Sequence, residues 1–406
     1  MEIEQAAESL YKAFSLIGQT DTAAIGTVRG RIIAEDIASP INVPSFPKAA
    51  MDGYAVSSED IRAASSQTPV TLKVIGCLFA GDRIPDSIKS EDLRSGCAVR
   101  IMTGAQVPAG FDTVIKQEDT DYGEEEVRIF KSQTPYVNYC KVGEDVREGA
   151  LIASKGDLLD RSRISVLAGT GVSKVSVYRK LDISVISTGS EIVDAGSPLG
   201  ESQIYNNIAY MLQAALDKPA FNCSITTVAD DEELIAKSIV SAACDSDIVI
   251  TTGGVSVGKK DHLPEVLKDI GAQILFDHVN IKPGSLTIGA VYKDKPLLCL
   301  SGNPYAATAS FDMYFGHIVR SLTSCTGYIP VSGTAVLESD FNKPSNVRRL
   351  VRANSSSGKV TIIKGNQMSS VMSAFIGADC YVDFPKGSHI SKGDTVNIMR
   401  IPEALL

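Results

Sequence analysis

Between residues 178 and 325, short apolar runs alternate with helical stretches, and this alternation narrows the possible folds more than any other feature. Ile183–Ser187 reads as a buried strand, residues 207–216 as a helix, 223–228 as a strand and 231–243 as a helix. Asp247–Thr251 is the next strand, Leu263–Ile270 the next helix, and Leu297–Leu300 a further strand before a helix that runs to about residue 322. Strands joined through helices pair in parallel, with helices covering both faces of the sheet. The expected fold class is α/β plus β: a multi-domain chain whose central doubly wound domain is flanked by β-rich domains.

The flanks read differently. Ile3, Ala7, Leu10, Phe14 and Ile17 recur at steps of four and three, which predicts a helix stopped by Gly18. Its apolar stripe is narrow and should pack on another helix or on a partner subunit. Residues 68–136 are short β-like runs broken by Gly and Pro. Asp160 reads as the N-cap of a helix ending near Gly169–Gly171, and this second segment is expected to pack with the N-terminal helix. Strands return after 328, with a hairpin turn at Ser355-Ser356-Ser357-Gly358 and a turn at Pro385-Lys386-Gly387. The expected domains are 1–45 with 140–177 as a discontinuous helical/linker domain, 46–139 as a small β-rich domain, 178–327 as the α/β domain, and 328–406 as a β-barrel-like domain.

Composition excludes several classes. At 406 residues the chain exceeds one ordinary core, and 44% hydrophobic with 21% charged residues describes a folded protein rather than a disordered one. No apolar run reaches the roughly 18 residues of a membrane helix. The start, Met1-Glu2-Ile3-Glu4, lacks an export signal, so a cytoplasmic location is expected. Eight cysteines contain no Cys-x-x-Cys pair, which argues against structural zinc and against a disulfide framework. A net charge of −9 gives no reason to expect nucleic-acid binding.

Ligands of a doubly wound sheet bind where the strands end. Three such ends carry small polar loops here: Thr188-Gly189-Ser190-Glu191, Thr252-Gly253-Gly254-Val255-Ser256-Val257-Gly258, and Ser301-Gly302-Asn303-Pro304. Each leads into a helix whose first N–H groups favour an anion. One Gly-Gly turn is more often structural than functional, whereas three such loops on one edge favour a site. Glu191, Asp230, Asp231 and Asp261 fall at the same edge, and carboxylates beside an anion suit a bridging Mg²⁺. For Asp231 an N-cap role is the stronger reading; for Asp261 the two roles stand level. Lys282, in Ile281-Lys282-Pro283-Gly284, offers positive charge, although a lone lysine before a turn is usually only solvated.

These residues resemble a known family. Gly253-Gly254-Val255-Ser256-Val257-Gly258 with Asp261 looks like the Gly-Gly-x-Ser-x-Gly signature of molybdopterin-binding domains, which MogA-type and CinA-type proteins share. Ala50-Met51-Asp52-Gly53-Tyr54-Ala55, Arg100-Ile101-Met102-Thr103-Gly104-Ala105 with Pro108 and Gly110, and Gly143-Glu144-Asp145 are similar to segments of MoeA-type molybdenum insertases. The resemblance covers nearly the whole chain. It implies a MogA-like molybdopterin-binding central domain and a homodimer whose site lies between subunits. It also implies a reaction in which adenylylated molybdopterin is hydrolysed with Mg²⁺, AMP leaves, and molybdate enters the dithiolene. MogA-type proteins and molybdoenzymes are the protein partners it implies.

On that resemblance Asp52, Thr103, Asp261 and Lys282 are catalytic, with Asp52 and Thr103 reaching in from the neighbouring subunit. Glu191, Asp230 and Asp261 hold the metal. Gly189, Ser190, Gly253, Gly254, Ser256, Gly258, Pro283, Gly284, Ser301, Gly302, Asn303, Pro304, Arg352 and Ser369 bind the pterin substrate. The chain departs from the family pattern at several places. A family Lys-Pro-Gly-Lys-Pro reads Lys282-Pro283-Gly284-Ser285-Leu286, Pro-Gly-Asn-Pro reads Ser301-Gly302-Asn303-Pro304, and Ile-Tyr-Asp-x-Asn reads Ile204-Tyr205-Asn206-Asn207-Ile208. Gln367-Met368-Ser369 stands for Gln-Gly-Ser, and Cys140-Lys141-Val142 for a basic run, while Arg348, Arg349 and Arg352 are retained. Two further readings therefore stand beside the insertase: a divergent paralogue that binds molybdopterin or a partner without inserting metal, and a MogA-like adenylyltransferase.

Overall fold

The computed structural model describes the chain except for residues 90–94, 256–261, 342–344 and 366. It divides into two compact units: Met1–Asp36, Ala153–Ile164 and Lys174–Leu406 form the larger, and Ile37–Ile152 with Ser165–Ser173 the smaller. Among the described residues no helix is long and apolar enough to cross a membrane.

The larger unit is built on a six-stranded sheet. Phe221–Val228, Leu181–Thr188, Ile248–Thr252 and Lys295–Leu300 lie side by side in parallel. The four strands read from the sequence are these parallel ones; Ile288–Tyr292 and Gln273–Phe276, which the sequence reading did not include, extend the sheet antiparallel. The physical reason is local. Lys293 and Asp294 both have positive φ (48° and 63°), so Tyr292 pairs directly with Lys295 across a two-residue hairpin and needs no crossover. Nothing in Lys-Asp advertises that turn as Asn-Gly would.

Alternation along the parallel strands sorts their side chains to two faces. Ile183, Val185, Ile248, Ile250, Leu298 and Leu300 join Leu212 and Leu216 of the helix Asn207–Leu216 and Phe311 and Phe315 of the helix Pro304–Thr323. On the other face Ile186, Val249, Leu297 and Cys299 meet Ile235 and Ile239 of the helix Glu232–Asp245 and Val266 and Leu267 of the helix Leu263–Asp269. Each such buried aliphatic side chain contributes about 1.5–3 kcal/mol. Asp231 caps the helix Glu232–Asp245, its carboxylate accepting from the Leu234 N–H at 2.9 Å.

The N-terminal helix spans Ile3–Lys12 and stops short of Gly18. Tertiary hydrogen bonds replace its last turn: Ser321 Oγ donates to the carbonyls of Tyr11 (2.7 Å) and Phe14 (3.0 Å), and Ile17 N–H donates to Leu322 O. Phe14 and Ile17 still pack on the core, but beyond the end of the helix. The helix rests on Pro304–Thr323, not on the segment after Asp160 as the sequence suggested. The two separated segments meet instead through strands, Thr20–Ala24 pairing antiparallel with Lys174–Tyr178.

The C-terminal strands close on themselves. Arg348–Ser356, Lys359–Ile362, Val331–Leu337, Thr395–Arg400 and Cys380–Phe384 follow in order, and Cys380–Phe384 pairs back to Arg348–Ser356. The short strand Ile281–Lys282 adds to the outer side of Arg348–Ser356, in parallel. Ser356 faces Lys359 across Ser357-Gly358, so the expected hairpin lies where the sequence put it.

The smaller unit is β-rich. Its five-stranded sheet runs Thr113–Lys116, Gly53–Val56, Cys97–Ile101, Val70–Leu78, Glu126–Ile129. Ala55, Val99, Ile101 and Val114 fill one side, and Tyr54, Val56, Ala98 and Ile115 the other.

Candidate functional site

Two neighbouring cavities open in the larger unit where the parallel strands end. The first, about 270 Å³, is lined by Thr188, Gly189, Glu191, Asn206, Asp230, Thr252, Gly253, Gly254, Ser301, Gly302 and Asn303, among others. All three strand-end loops therefore meet in one place. Gly253 makes this possible: its φ is +96°, and a Cβ there would lie 2.6 Å from both the carbonyl oxygen and the hydroxyl of Thr188. Only glycine lets the two loops come so close. Gly302 faces Gly253 across the gap, a Cβ on Gly302 standing 3.5 Å from the Gly253 Cα.

A polar network underlies this cavity. Thr252 Oγ1 donates to Ser187 Oγ (3.2 Å), Ser187 Oγ donates to Asn206 Oδ1 (3.2 Å), and Asn206 Nδ2 donates to Thr227 Oγ1 (3.3 Å). Asn206 also caps its helix, accepting from Ala209 N–H at 3.2 Å. Ser187 and Asn206 were not among the site residues expected from the sequence. Asn206 stood out there only as a departure from a family Asp, and its N-cap position before Asn207–Leu216 was the available signal. Above the network, Asp230 N–H donates to Ser190 Oγ at 3.3 Å, tying the second strand's end to the first loop.

The second cavity, about 590 Å³, shares Ser301 and Asn303 with the first. Lys282, Pro283, Gly284, Ser285, Tyr305, Arg349 and Ser369 are among its other lining residues. Ser301 Oγ accepts from Asn303 N–H (3.1 Å), and Tyr305 N–H donates to Ser369 O (2.8 Å), which ties the loop at 369 to the start of the helix Pro304–Thr323. Pro304 itself is the first residue of that helix.

The two cavities differ in charge. Among the described residues, Glu191 and Asp230 line the smaller with no Lys or Arg, while Lys282 and Arg349 line the larger with no Asp or Glu. Arg352 lines neither. It is wholly buried behind Tyr305, its guanidinium 3.7 Å from that ring's centroid and 4.7 Å from that of Phe375, and it donates to Gln367 Oε1 and Val371 O. Burial pushes the Tyr305 phenol up to about 12, so this residue presents a neutral ring to the cavity.

Ser256, Gly258 and Asp261 lie outside the described residues. Among the described residues no group of three His, Cys, Asp or Glu side chains is placed to hold a metal ion. Asp52 and Thr103 belong to the smaller unit, where they hold each other: Thr103 N–H and Thr103 Oγ1–H both donate to Asp52 Oδ1 at 2.7 Å. Those two hydrogen bonds, the backbone one first, hold the exposed Asp52 carboxyl below its ordinary range.

Known proteins match this architecture throughout. Residues 1–171 match the family model of the MoeA N-terminal region (domains I and II), 184–320 that of the probable molybdopterin-binding domain, and 334–401 that of the MoeA C-terminal region (domain IV). A molybdopterin molybdenumtransferase of Staphylococcus aureus (strain COL) is 35% identical over 383 residues, 93% of this chain and 90% of that protein. One from Staphylococcus epidermidis (strain ATCC 12228) is 36% identical over 375 residues, 91% of this chain and 88% of the relative. Two solved structures of the molybdopterin biosynthesis MoeA protein from Pyrococcus horikoshii each cover 98% of this chain. One has a TM-score of 0.78 at 31% identity over 98% of its own chain, the other 0.83 at 26% over 99%. The chain belongs to the MoeA family of molybdopterin molybdenumtransferases, which act in molybdenum-cofactor biosynthesis.

Proposed function

We propose that the chain hydrolyses adenylylated molybdopterin and places molybdate on the dithiolene, with AMP as the leaving product and Mg²⁺ as the required cation. The observation that carries this reading is the pair of oppositely charged cavities meeting at Ser301 and Asn303. Gly189, Gly253, Gly254 and Gly302 let the backbone come close to a phosphorylated pterin in the smaller one, and Lys282 holds an oxyanion in the larger. Glu191 and Asp230 are hard oxygen donors on one cavity wall, a set that fits Mg²⁺ bound through one or two carboxylates and substrate oxygens. The chemistry such an ion supplies is charge neutralisation on phosphate oxygens. Ser190, Pro283, Gly284, Pro304 and Ser369 then shape the site, and Arg352 supports it from behind Tyr305. Asp52 and Thr103 act as one preformed unit, supplied on this reading by the second subunit of a homodimer.

The test is AMP release. Purified chain given adenylylated molybdopterin, Mg²⁺ and molybdate should liberate AMP, and Asp52→Ala should slow it by about a hundredfold or more. Tight molybdopterin binding without AMP release would instead identify a binding paralogue, and ATP turnover would identify an adenylyltransferase.

A further inference from the structure

Three arginines lie within five residues at the start of the strand Arg348–Ser356, and the structure gives each a different surrounding. Arg348 is engaged away from the larger cavity, its guanidinium donating to both oxygens of Asp383 and to Glu4, all at 2.7 Å. Arg352 is buried against Tyr305 and Phe375. Arg349 alone of the three lines the larger cavity, as does Val347 two residues before it on the same side.

Its neighbour is set by register. The strand Ile281–Lys282 pairs in parallel with Arg348–Ser356, and Lys282 is the Cα partner of Arg349. Partners in a ladder project to the same face, so two cations stand side by side on one cavity wall. Two like charges on one wall raise the local positive potential and so favour an anion between them. The Arg349 guanidinium carbon lies 5.3 Å from the centroid of the Phe341 ring, so the ring faces the charged group itself and helps to position it. Ser285, on the same cavity lining, is where the family pattern carries a second lysine. The chain thus lacks one cation at 285 and presents another at 349.

The geometry points to Arg349 as the second cationic contact, beside Lys282, for molybdate in the larger cavity. This deepens the proposed function and rests on it. A planar guanidinium presents paired N–H donors, which suit two oxygens of one tetrahedral dianion. The phosphate of the nucleotide has related chemistry, so the test separates the two.

Equilibrium dialysis of the full chain against molybdate, and separately against AMP, at fixed ionic strength provides the readout. Arg349→Gln should weaken molybdate binding about ten- to a hundredfold, the loss of one charge-assisted hydrogen-bonding group. AMP binding should change less than threefold. Adding Ser285→Lys to Arg349→Gln should restore most of the affinity, because the new ammonium enters the same cavity. Unchanged molybdate binding in Arg349→Gln, or a loss confined to AMP, would overturn the assignment. Should Arg349→Gln melt early, Ser285→Lys in the wild-type background must still tighten molybdate binding, and no gain there counts equally against it. A wild-type chain that neither binds molybdate nor releases AMP sinks the proposed function. A wild-type chain that does both, with Arg349→Gln unaffected, sinks this inference alone.

Discussion

Asp312 is buried within the helix Pro304–Thr323, and its carboxyl accepts a 2.5 Å hydrogen bond from Tyr381 of the barrel. Burial pushes the acid up to about 7, and the tyrosine offsets only part of that rise. The folded chain thus keeps a proton that the unfolded chain gives up near pH 4. Stability from this group is full below about pH 4, declines as pH rises toward 7, and is flat above. Asp312→Asn should therefore gain on the wild type in melting temperature between pH 5 and pH 8, and a difference that does not move with pH would refute the burial account. No reading of the sequence could mark Asp312, since an acid on a helix looks solvated until its neighbours are known. Gly53 is the opposite case. The motif around it was visible, but its reason was not: a Cβ there would lie 1.8 Å from the Ile115 carbonyl oxygen, so this glycine is required by sheet pairing. Asp52, just before it, was legible only through the resemblance of its segment to a family motif, while its clamp by Thr103 needed coordinates.

At the scale of elements, the loops that end the parallel strands were the most legible part, because glycine, hydroxyl and amide residues followed each apolar run. Their convergence depends on contacts such as Gly253 against Thr188. Gly253→Ala should cost about 1–3 kcal/mol in denaturant unfolding, since two oxygens block the added methyl. Gly333→Ala is the control: the nearest atom to its Cβ position is Ile398 Cγ1 at 3.8 Å, an ordinary contact, and its midpoint should shift little. Equal losses at both sites would show that the close loop approach is not what Gly253 secures. Less legible were the elements fixed by distant partners. The N-terminal helix has a helical stripe through Ile17, yet Ser321, over 300 residues away in sequence, takes the carbonyls of Tyr11 and Phe14 and releases the chain. Tertiary hydrogen bonding overrode periodicity there, and the strand Ile288–Tyr292 went unread because its Lys-Asp hairpin carries no turn signal.

Across the whole molecule, net charge is a poor guide to local charge. A chain of −9 places Lys282 and Arg349 on one wall, and that pairing comes from a ladder between residues far apart in sequence. The same ladder region carries a second long-range tie, Arg348 between Asp383 of the barrel and Glu4 of the N-terminal helix. The two arms differ in burial. Asp383 is 10% exposed at its side chain and binds the guanidinium through both oxygens, whereas Glu4 is 64% exposed and bound once. Solvent screens an exposed pair to about 0–1 kcal/mol, while removing one partner of a buried pair leaves an unpaired charge and costs about 3–5 kcal/mol. Glu4→Gln should thus lower stability only slightly, and by less still at high salt. Arg348→Met should cost several times more, because Asp383 then stays buried without its partner. If Arg348→Met combined with Asp383→Leu recovers much of that loss, the cost lies in the stranded carboxylate and not in the lost packing of the arginine stem. No recovery would mean that the arginine's packing, together with its tie to the N-terminal helix, is what holds this end of the barrel in place.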